Sequence, residues 1–318
     1  MDIPLLVGGL AVLVLSGEVL VRNAAGLAIK ASIPPVIVGL TIVSLGTSAP
    51  EIFASVRAAL EGNPGLAVGN VIGSNIANLA LILGVTALIH PVAVDRSLLR
   101  SDWPVMMAAT LAFIGLGWDL EFSATDGAVL LLGVALLLLF FYRRSVAARK
   151  TEVPDNDGEE FDAFAHRSYA ALAALIVAGT IGLNYGAEWF IAGARGIAAA
   201  AGVSDHIIGV TVVAFGTSVP ELVASGAAAM KGESDLALGN LVGSNIFNIL
   251  LALGLTATIH PVDVEAEAIA YDAMWMLGVA AVLLPMMLHK RLINRWKGGV
   301  MLAIYLLYVG LIVQATWM

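Results

Sequence analysis

Cysteine is absent from the 318 residues, which removes disulfides, thiol redox chemistry and thiolate–metal sites. Charge is scarce as well. Charged residues make up 13% of the chain against 59% hydrophobic, a balance that excludes an ordinary soluble domain. The few basic residues sit dispersed at segment ends, not gathered on one face, so nucleic acid is excluded as a partner. The net charge of −8 is carried by loops and points to no partner. No basic n-region precedes the first apolar run, which starts almost at Met1 and reads as a span, not a cleaved signal. No histidine lies in the core spans to serve as base for a serine or glutamate hydrolase.

What the chain has in abundance is apolar length. Roughly ten runs are long enough to cross a hydrocarbon core of about 30 Å: 3–21, 34–59, 66–89, 103–118, 126–142, 169–190, 204–229, 236–259, 273–289 and 298–317. The run at 103–118 is the shortest. Two stretches then say nearly the same thing. Gly39-Leu-Thr-Ile-Val-Ser-Leu-Gly-Thr-Ser-Ala-Pro-Glu51 is followed by Gly69-Asn-Val-Ile-Gly-Ser-Asn-Ile-Ala-Asn78. At a constant offset of 170 residues, Gly209-Val-Thr-Val-Val-Ala-Phe-Gly-Thr-Ser-Val-Pro-Glu221 is followed by Gly239-Asn-Leu-Val-Gly-Ser-Asn-Ile-Phe-Asn248. Roughly thirty of about fifty positions between Gly39 and Pro91 match their partners, so the chain is an internal duplication. The offset also relates Glu18 to Glu188, Gly26 to Gly196, Asp102 to Asp272 and Met106 to Met276.

Each half holds about five spans, and an odd number forces the second half to enter the membrane inverted. The expected fold is therefore an all-α integral membrane protein. Its ten transmembrane helices form two inverted five-helix repeats, 1–142 and 168–318, joined by a cytoplasmic linker over 143–167. Orientation follows from basic residues. Arg22, Lys30, Arg96, Arg100, Arg143, Arg144, Arg149, Lys150, Arg167, Lys231, Lys290, Arg291, Arg295 and Lys297 fall on one side, and Arg57 and Arg195 on the other. The positive-inside rule makes the first side cytoplasmic and puts both termini outside. The linker's acidic centre, Asp155-Asn-Asp-Gly-Glu-Glu160, fails as a calcium loop. With Gly158 in the loop's glycine position, its first and last ligand positions would be Val153 and Phe164. It reads as a solvated linker.

The repeated motifs carry the chemistry. Gly46-Thr-Ser-Ala-Pro50 and Gly216-Thr-Ser-Val-Pro220 interrupt two apolar helices, since proline removes a donor and clashes with the carbonyl four residues back. Carbonyls near Ser44 to Thr47, and near Ala214 to Thr217, are expected to lose their helical partners. Such groups are tolerated at membrane depth only where they line a cavity. Thr47, Ser48, Thr217 and Ser218 add hydroxyls, and Glu51 and Glu221 add charge. Ser74 and Asn78 share a helix face at i, i+4 spacing, as do Ser244 and Asn248. Polar residues often merely glue membrane helices together. A carboxylate embedded twice in identical polar frames points instead to an ion site built from two halves, because a charge in hydrocarbon is costly and normally functional. All donors are oxygens, a set suited to hard cations such as calcium or sodium and not to transition metals, which recruit imidazole or thiolate.

Lesser residues have plainer readings. Gly69-x-x-x-Gly73 and Gly239-x-x-x-Gly243 suggest close helix packing that lets Ser74 and Ser244 reach the centre. Glu18 and Glu188 lie near span ends, placed for snorkelling or for gating. Asp102 and Asp272 look like N-caps, and His90 and His260 mark helix ends before Pro91 and Pro261.

Gly-Thr-Ser-x-Pro-Glu followed by Gly-Ser-Asn-Ile-x-Asn, present twice over a chain of this length, resembles the calcium/cation antiporter superfamily, specifically its prokaryotic sodium/calcium exchangers. The resemblance covers essentially the whole chain. It implies an antiporter that exports cytoplasmic calcium against entering sodium by alternating access, with the first and sixth helices sliding against the rest. Glu51 and Glu221 would be central calcium ligands that also serve sodium. Thr47, Thr217, Ser48, Ser218, Ser74 and Ser244 would complete the sites. The implied setting is a prokaryotic plasma membrane, with calcium, sodium and the lipid bilayer as partners, no cofactor, no obligatory protein partner and no catalytic residue. One departure stands out: some relatives, including potassium-dependent exchangers, carry Asp where this chain has Asn248. Two central carboxylates instead of three argue against potassium co-transport and bring the site nearer to proton/calcium antiporters. A cation channel is disfavoured, because an internal pseudo-two-fold around buried ligands is not a continuous pore.

Overall fold

A computed structural model describes residues 2–62, 65–151, 164, 166–200 and 216–317. Over these the chain is helical nearly throughout, as a bilayer requires of any segment that must satisfy its own backbone groups. The helices are α1 (Asp2–Ala31), α2 (Pro35–Thr47), α3 (Ala49–Leu60), α4 (Gly65–Ile89), α5 (98–116), α6 (Ala124–Thr151), α7 (Tyr169–Ala200), α8 (Val219–Met230), α9 (Ser234–Ile259), α10 (Ala268–Leu288) and α11 (Arg295–Trp317). Two-residue strands β1 (Val92–Ala93), β2 (Glu121–Phe122), β3 (Val262–Asp263) and β4 (Leu292–Ile293) punctuate them. Wide π turns recur at matching places in the two halves, over Ala77–Ile82 and Asn248–Leu253, and over Leu98–Asp102 and Ala268–Asp272.

Among the described residues, 7 helices are long and apolar enough to cross a membrane, or up to 8 if α2 and α3, bent by 46° at their junction, make one span. Two expected spans are not among them. The α-helical part of α5, Trp103–Leu116, has only 14 residues. The span expected at 204–229 is described only from Gly216 onward.

The chain forms two compact units, Met1–Pro50 with Arg143–Asn240, and Glu51–Tyr142 with Leu241–Met318. Each draws on both halves of the duplication. In the first unit, Gly193, Gly186 and Gly179 of α7 abut Leu6, Leu13 and Leu20 of α1. Numbers rise along one helix as they fall along the other, so these repeat counterparts run antiparallel. The contact leaves no room for side chains on the α7 face: a Cβ on Gly186 would lie 2.9 Å from the Leu13 amide nitrogen. Helix α2 meets the start of α9 as closely. A Cβ on Gly39 would lie 2.6 Å from the Leu236 carbonyl oxygen, and one on Gly239 2.5 Å from that of Val36. Glu18 pairs with Arg22 at 2.5 Å and with Lys231, just beyond α8, at 3.5 Å. Glu188 is exposed.

In the second unit β1 pairs with β4 and β2 with β3, both antiparallel. The offset carries β1 onto β3 and β2 to within one residue of β4, so the duplication exchanges the two ladders. Trp103 Nε1 donates to the Ala280 carbonyl at 2.8 Å and ties α5 to α10. The N-cap reading of Asp102 and Asp272 is corrected here, since neither makes a capping hydrogen bond. Their helices begin a turn earlier, in the π turns. For α5 it is Asp95 whose Oδ1 accepts the Ser97 amide at 2.6 Å. Asp102 lies buried inside the helix, accepting from Ser101 Oγ at 3.1 Å, and Asp272 accepts from the Tyr308 hydroxyl at 3.3 Å. His90 and His260 do end their helices, extended and exposed.

Candidate cation site

Helix α3 starts just after Ser48 (φ −81, ψ 3), and α8 just after Ser218 (φ −90, ψ 4). These matching non-helical residues are each followed two positions later by proline; Ser48 is the break between α2 and α3, and Ser218 precedes the start of α8. Proline is well suited to a first turn, where its missing N–H has no intrahelical acceptor to serve. These starts put Glu51 and Glu221 in the first turns of α3 and α8, where the helix dipole favours negative charge. Glu51 is 1% exposed and Glu221 0%, so the dipole offsets part of a large desolvation cost. Ser-x-x-Glu is the spacing of a capping box, yet the serine hydroxyls are not used that way. Ser218 makes no side-chain cap, and Ser48 Oγ donates to Glu221 Oε1 at 3.2 Å.

Around Glu221 in the first unit, Thr47 Oγ1 donates to Asn240 Oδ1 at 3.1 Å, and Asn240 Nδ2 donates to Ser225 Oγ at 3.0 Å. Ser218 Oγ is buried without a hydrogen bond among the described residues, and Thr217 is half-buried. In the second unit Asn70 Nδ2 donates to the Glu51 carbonyl at 3.0 Å and to Ser55 Oγ at 2.9 Å. Asn70 with Ser55 thus repeats Asn240 with Ser225.

The second unit also joins α4 to α9 through four buried asparagines. Asn75 Nδ2 donates to the Asn245 carbonyl at 3.2 Å, and Asn245 Nδ2 to the Asn75 carbonyl at 3.2 Å. Asn78 Nδ2 donates to Asn245 Oδ1 at 3.0 Å, and Asn248 Nδ2 to Asn75 Oδ1 at 3.2 Å. Asn78 Oδ1 and Asn248 Oδ1 are left buried, without a hydrogen bond among the described residues. Ser74 and Ser244 are buried in the same helices.

The expected site residues therefore divide. Thr47, Ser48, Thr217, Ser218 and Glu221 lie in the first unit, and Glu51, Ser74, Asn78, Ser244 and Asn248 in the second. Ser44 departs from expectation. Its carbonyl keeps the Ser48 amide at 2.9 Å, because the helix runs on to Thr47 and breaks only at Ser48. Ala214 and the linker centre 155–160 lie outside the described residues. The glycine reading holds at Gly239 but not at Gly69 or Gly73, where a Cβ would meet no described atom within 4 Å. The motif reading does not single out Ser55, Asn70, Asn75, Ser225, Asn240 or Asn245. Their signal is present all the same: each is identical to its counterpart at the repeat offset. No cluster of three or more His, Asp or Glu occurs among the described residues, so hydroxyls and amides are the abundant donors.

Buried carboxylates in the first turns of membrane helices, with buried hydroxyls and amides in the same motifs, are groups of the kind that membrane ion carriers use. The sequence matches the model of the sodium/calcium exchanger protein family over residues 2–147 and 171–314, and the chain belongs to that family. It is 38% identical over 306 residues to the putative antiporter CaxA of Alkalimonas amylolytica, covering 94% of this chain and 95% of that one. It is 36% identical over 279 residues to the inner membrane protein YrbG of Escherichia coli (strain K12), covering 87% and 86%. Among solved structures it is similar to the sodium-calcium exchanger NCX_Mj soaked with sodium and strontium, with a TM-score of 0.80, 32% identity and 97% coverage of each chain. The protein is a calcium/cation antiporter of the membrane, from a family of transporters and not of catalysts.

Proposed function

We propose that this antiporter moves calcium out of the cytoplasm in exchange for sodium moving in, by alternating access between two inverted five-span repeats. The observation that carries the reading is the pair Glu51 and Glu221, each buried in the first turn of a helix inside the same duplicated motif. Two carboxylates balance the charge of one calcium ion, and an uncompensated dication would be untenable in so dry a setting. Thr47, Thr217, Ser48, Ser218, Ser74, Ser244, Asn78 and Asn248 supply the neutral oxygens that calcium's six to eight contacts call for. Ser44 is left out, since its carbonyl is already bonded.

The antiparallel packing of α1 on its counterpart α7 and the exchanged strand ladders support inverted repeats and ten spans. Placement in a prokaryotic plasma membrane, with both termini outside and the 143–167 linker inside, follows from the basic residues and accords with the name of YrbG as an inner membrane protein.

A second reading keeps the fold, the calcium and both glutamates and replaces sodium by protons. Asn at both 78 and 248 favours it, because two central carboxylates instead of three bring the ligand set nearer to that of proton/calcium antiporters. Calcium-45 uptake into proteoliposomes separates the two. An imposed sodium gradient should drive uptake and an imposed pH gradient alone should not. Sodium-free, pH-driven uptake would replace sodium by protons as the coupling ion.

A further inference from the structure

We infer that Asn75 and Asn245 are positioning residues that set the polarity of the amides of Asn78 and Asn248, so that each presents its carbonyl oxygen, and not its NH2, to the cargo ion. The inference rests on the calcium reading above. Its physical basis is that an amide is a donor at one end and an acceptor at the other, and nothing in its shape fixes which end points where. A backbone carbonyl has no such freedom, since it only accepts. The carbonyl of Asn245 takes the Nδ2 of Asn75 at 3.2 Å, and the carbonyl of Asn75 takes the Nδ2 of Asn245 at 3.2 Å. That leaves the Oδ1 of Asn75 and of Asn245 as the ends that meet the next amides. An oxygen there demands a donor, so Asn248 must turn its Nδ2 to Asn75, at 3.2 Å, and Asn78 its Nδ2 to Asn245, at 3.0 Å.

The polarity of two backbone carbonyls is thus relayed through two amides to a second pair. The relay ends at Asn78 Oδ1 and Asn248 Oδ1, both buried and both without a donor among the described residues. Reversing either terminal amide would oppose two oxygens and leave a buried N–H unmade, a costly arrangement. With Asn78 and Asn248 locked, their oxygens accept from nothing in the clasp and are kept for a cation. The connections are crossed: Asn75, on α4, orients Asn248, on α9, and Asn245 orients Asn78. An isolated helix cannot make this device, because every link runs between the two copies of the repeat.

The crossing provides the test. In proteoliposomes, the calcium concentration giving half-maximal exchange would be measured for Asn75→Ala, Asn245→Ala, Asn78→Ala, Asn248→Ala and the four doubles that join one of the first pair to one of the second. Each single change should raise that concentration by about five- to tenfold, the effect of one lost hydrogen bond or ligand. Adding Asn75→Ala to Asn248→Ala should cost nothing further, since no amide remains to orient, and likewise Asn245→Ala to Asn78→Ala. Asn75→Ala with Asn78→Ala, and Asn245→Ala with Asn248→Ala, should multiply. A purely structural clasp would lower the calcium-free melting temperature of Asn75→Ala and Asn245→Ala while leaving half-saturating calcium within about twofold of wild type, and that pattern would overturn the inference. If alanine at 75 or 245 prevents insertion, Asn75→Ser and Asn245→Ser enter the same cycles. Should Asn78→Ala and Asn248→Ala leave half-saturation unchanged while wild type exchanges calcium, the two amides do not touch the cargo and the inference falls alone. If wild type moves no calcium under either gradient, the functional reading falls and takes the inference with it.

Discussion

Ser48 donates to Glu221 at 3.2 Å, while its counterpart Ser218, equally buried, makes no hydrogen bond among the described residues. Thr47 is buried against Asn240, whereas Thr217 is only half-buried. Gly239 touches backbone, whereas a Cβ on Gly69 would meet no described atom within 4 Å. The four asparagines of α4 and α9 behave otherwise, for each bond among them is matched by its repeat counterpart within 0.2 Å. One duplicated motif is therefore satisfied unequally and the other equally. The difference teaches where the two-fold symmetry of the sequence is obeyed and where it is broken. Among the described residues the break falls beside the carboxylates, at Ser48 and Ser218.

The strongest challenge to that comparison removes a charge. Glu51→Gln and Glu221→Gln should each cut calcium-45 exchange by more than about a hundredfold, since a buried ion left uncompensated costs about 3–5 kcal/mol. Gel-filtration profiles should stay monodisperse. Near wild-type exchange by either variant would mean that the two copies do not contribute equal charges to one ion.

Inversion itself makes an all-or-none prediction. Glu121 and Arg291 are exposed repeat counterparts, so in this cysteine-free chain Glu121→Cys should react with an impermeant reagent from outside and Arg291→Cys should not. Labelling of both from one side would end the inverted-repeat account.

The glycine contrast is smaller and is read as stability. Gly239→Ala forces a methyl against the Val36 carbonyl and should lose about 1–3 kcal/mol, the usual penalty of overpacking. Gly69→Ala meets nothing described and should be neutral or gain up to about 1 kcal/mol from helix propensity. Melting in detergent measures both, and equal shifts would erase the distinction.

The last challenge tests the serines. A hydrogen bond to a carboxylate is worth about 1.5–3 kcal/mol, so Ser48→Ala should raise half-saturating calcium by about ten- to a hundredfold when measured from one side of the membrane. Ser218→Ala should do so from the other side. Identical effects from both sides would show that the unequal serines play no part in the cycle.

Much of this is legible in the residues alone. Repetition exposes Glu51 and Glu221, proline and glycine mark the breaks, and apolar length declares a membrane protein. Particular residues mislead where the sequence reports a type of group but not its neighbour. Asp102 resembles a cap because it precedes Trp103-Pro104, but the helix has started a turn earlier behind Asp95. Ser44 falls within the stretch expected to lose its partners to Pro50, yet proline deprives only the residue four back, and Ser48 still reaches Ser44. Gly69 and Gly239 are the same residue in the same motif with different surroundings.

The sequence by itself determined the inventory: two halves, two membrane carboxylates, an all-oxygen donor set, and the helix starts that put each glutamate in a first turn. These follow from local chemistry, from hydropathy over some twenty residues and from the backbone demands of proline. Only the tertiary structure decided how the donors are used. Helical periodicity tells which side chains share a face, but not which helix that face meets. The partner of Asn75 lies 170 residues away, and an amide that can both give and accept takes its direction from that partner alone.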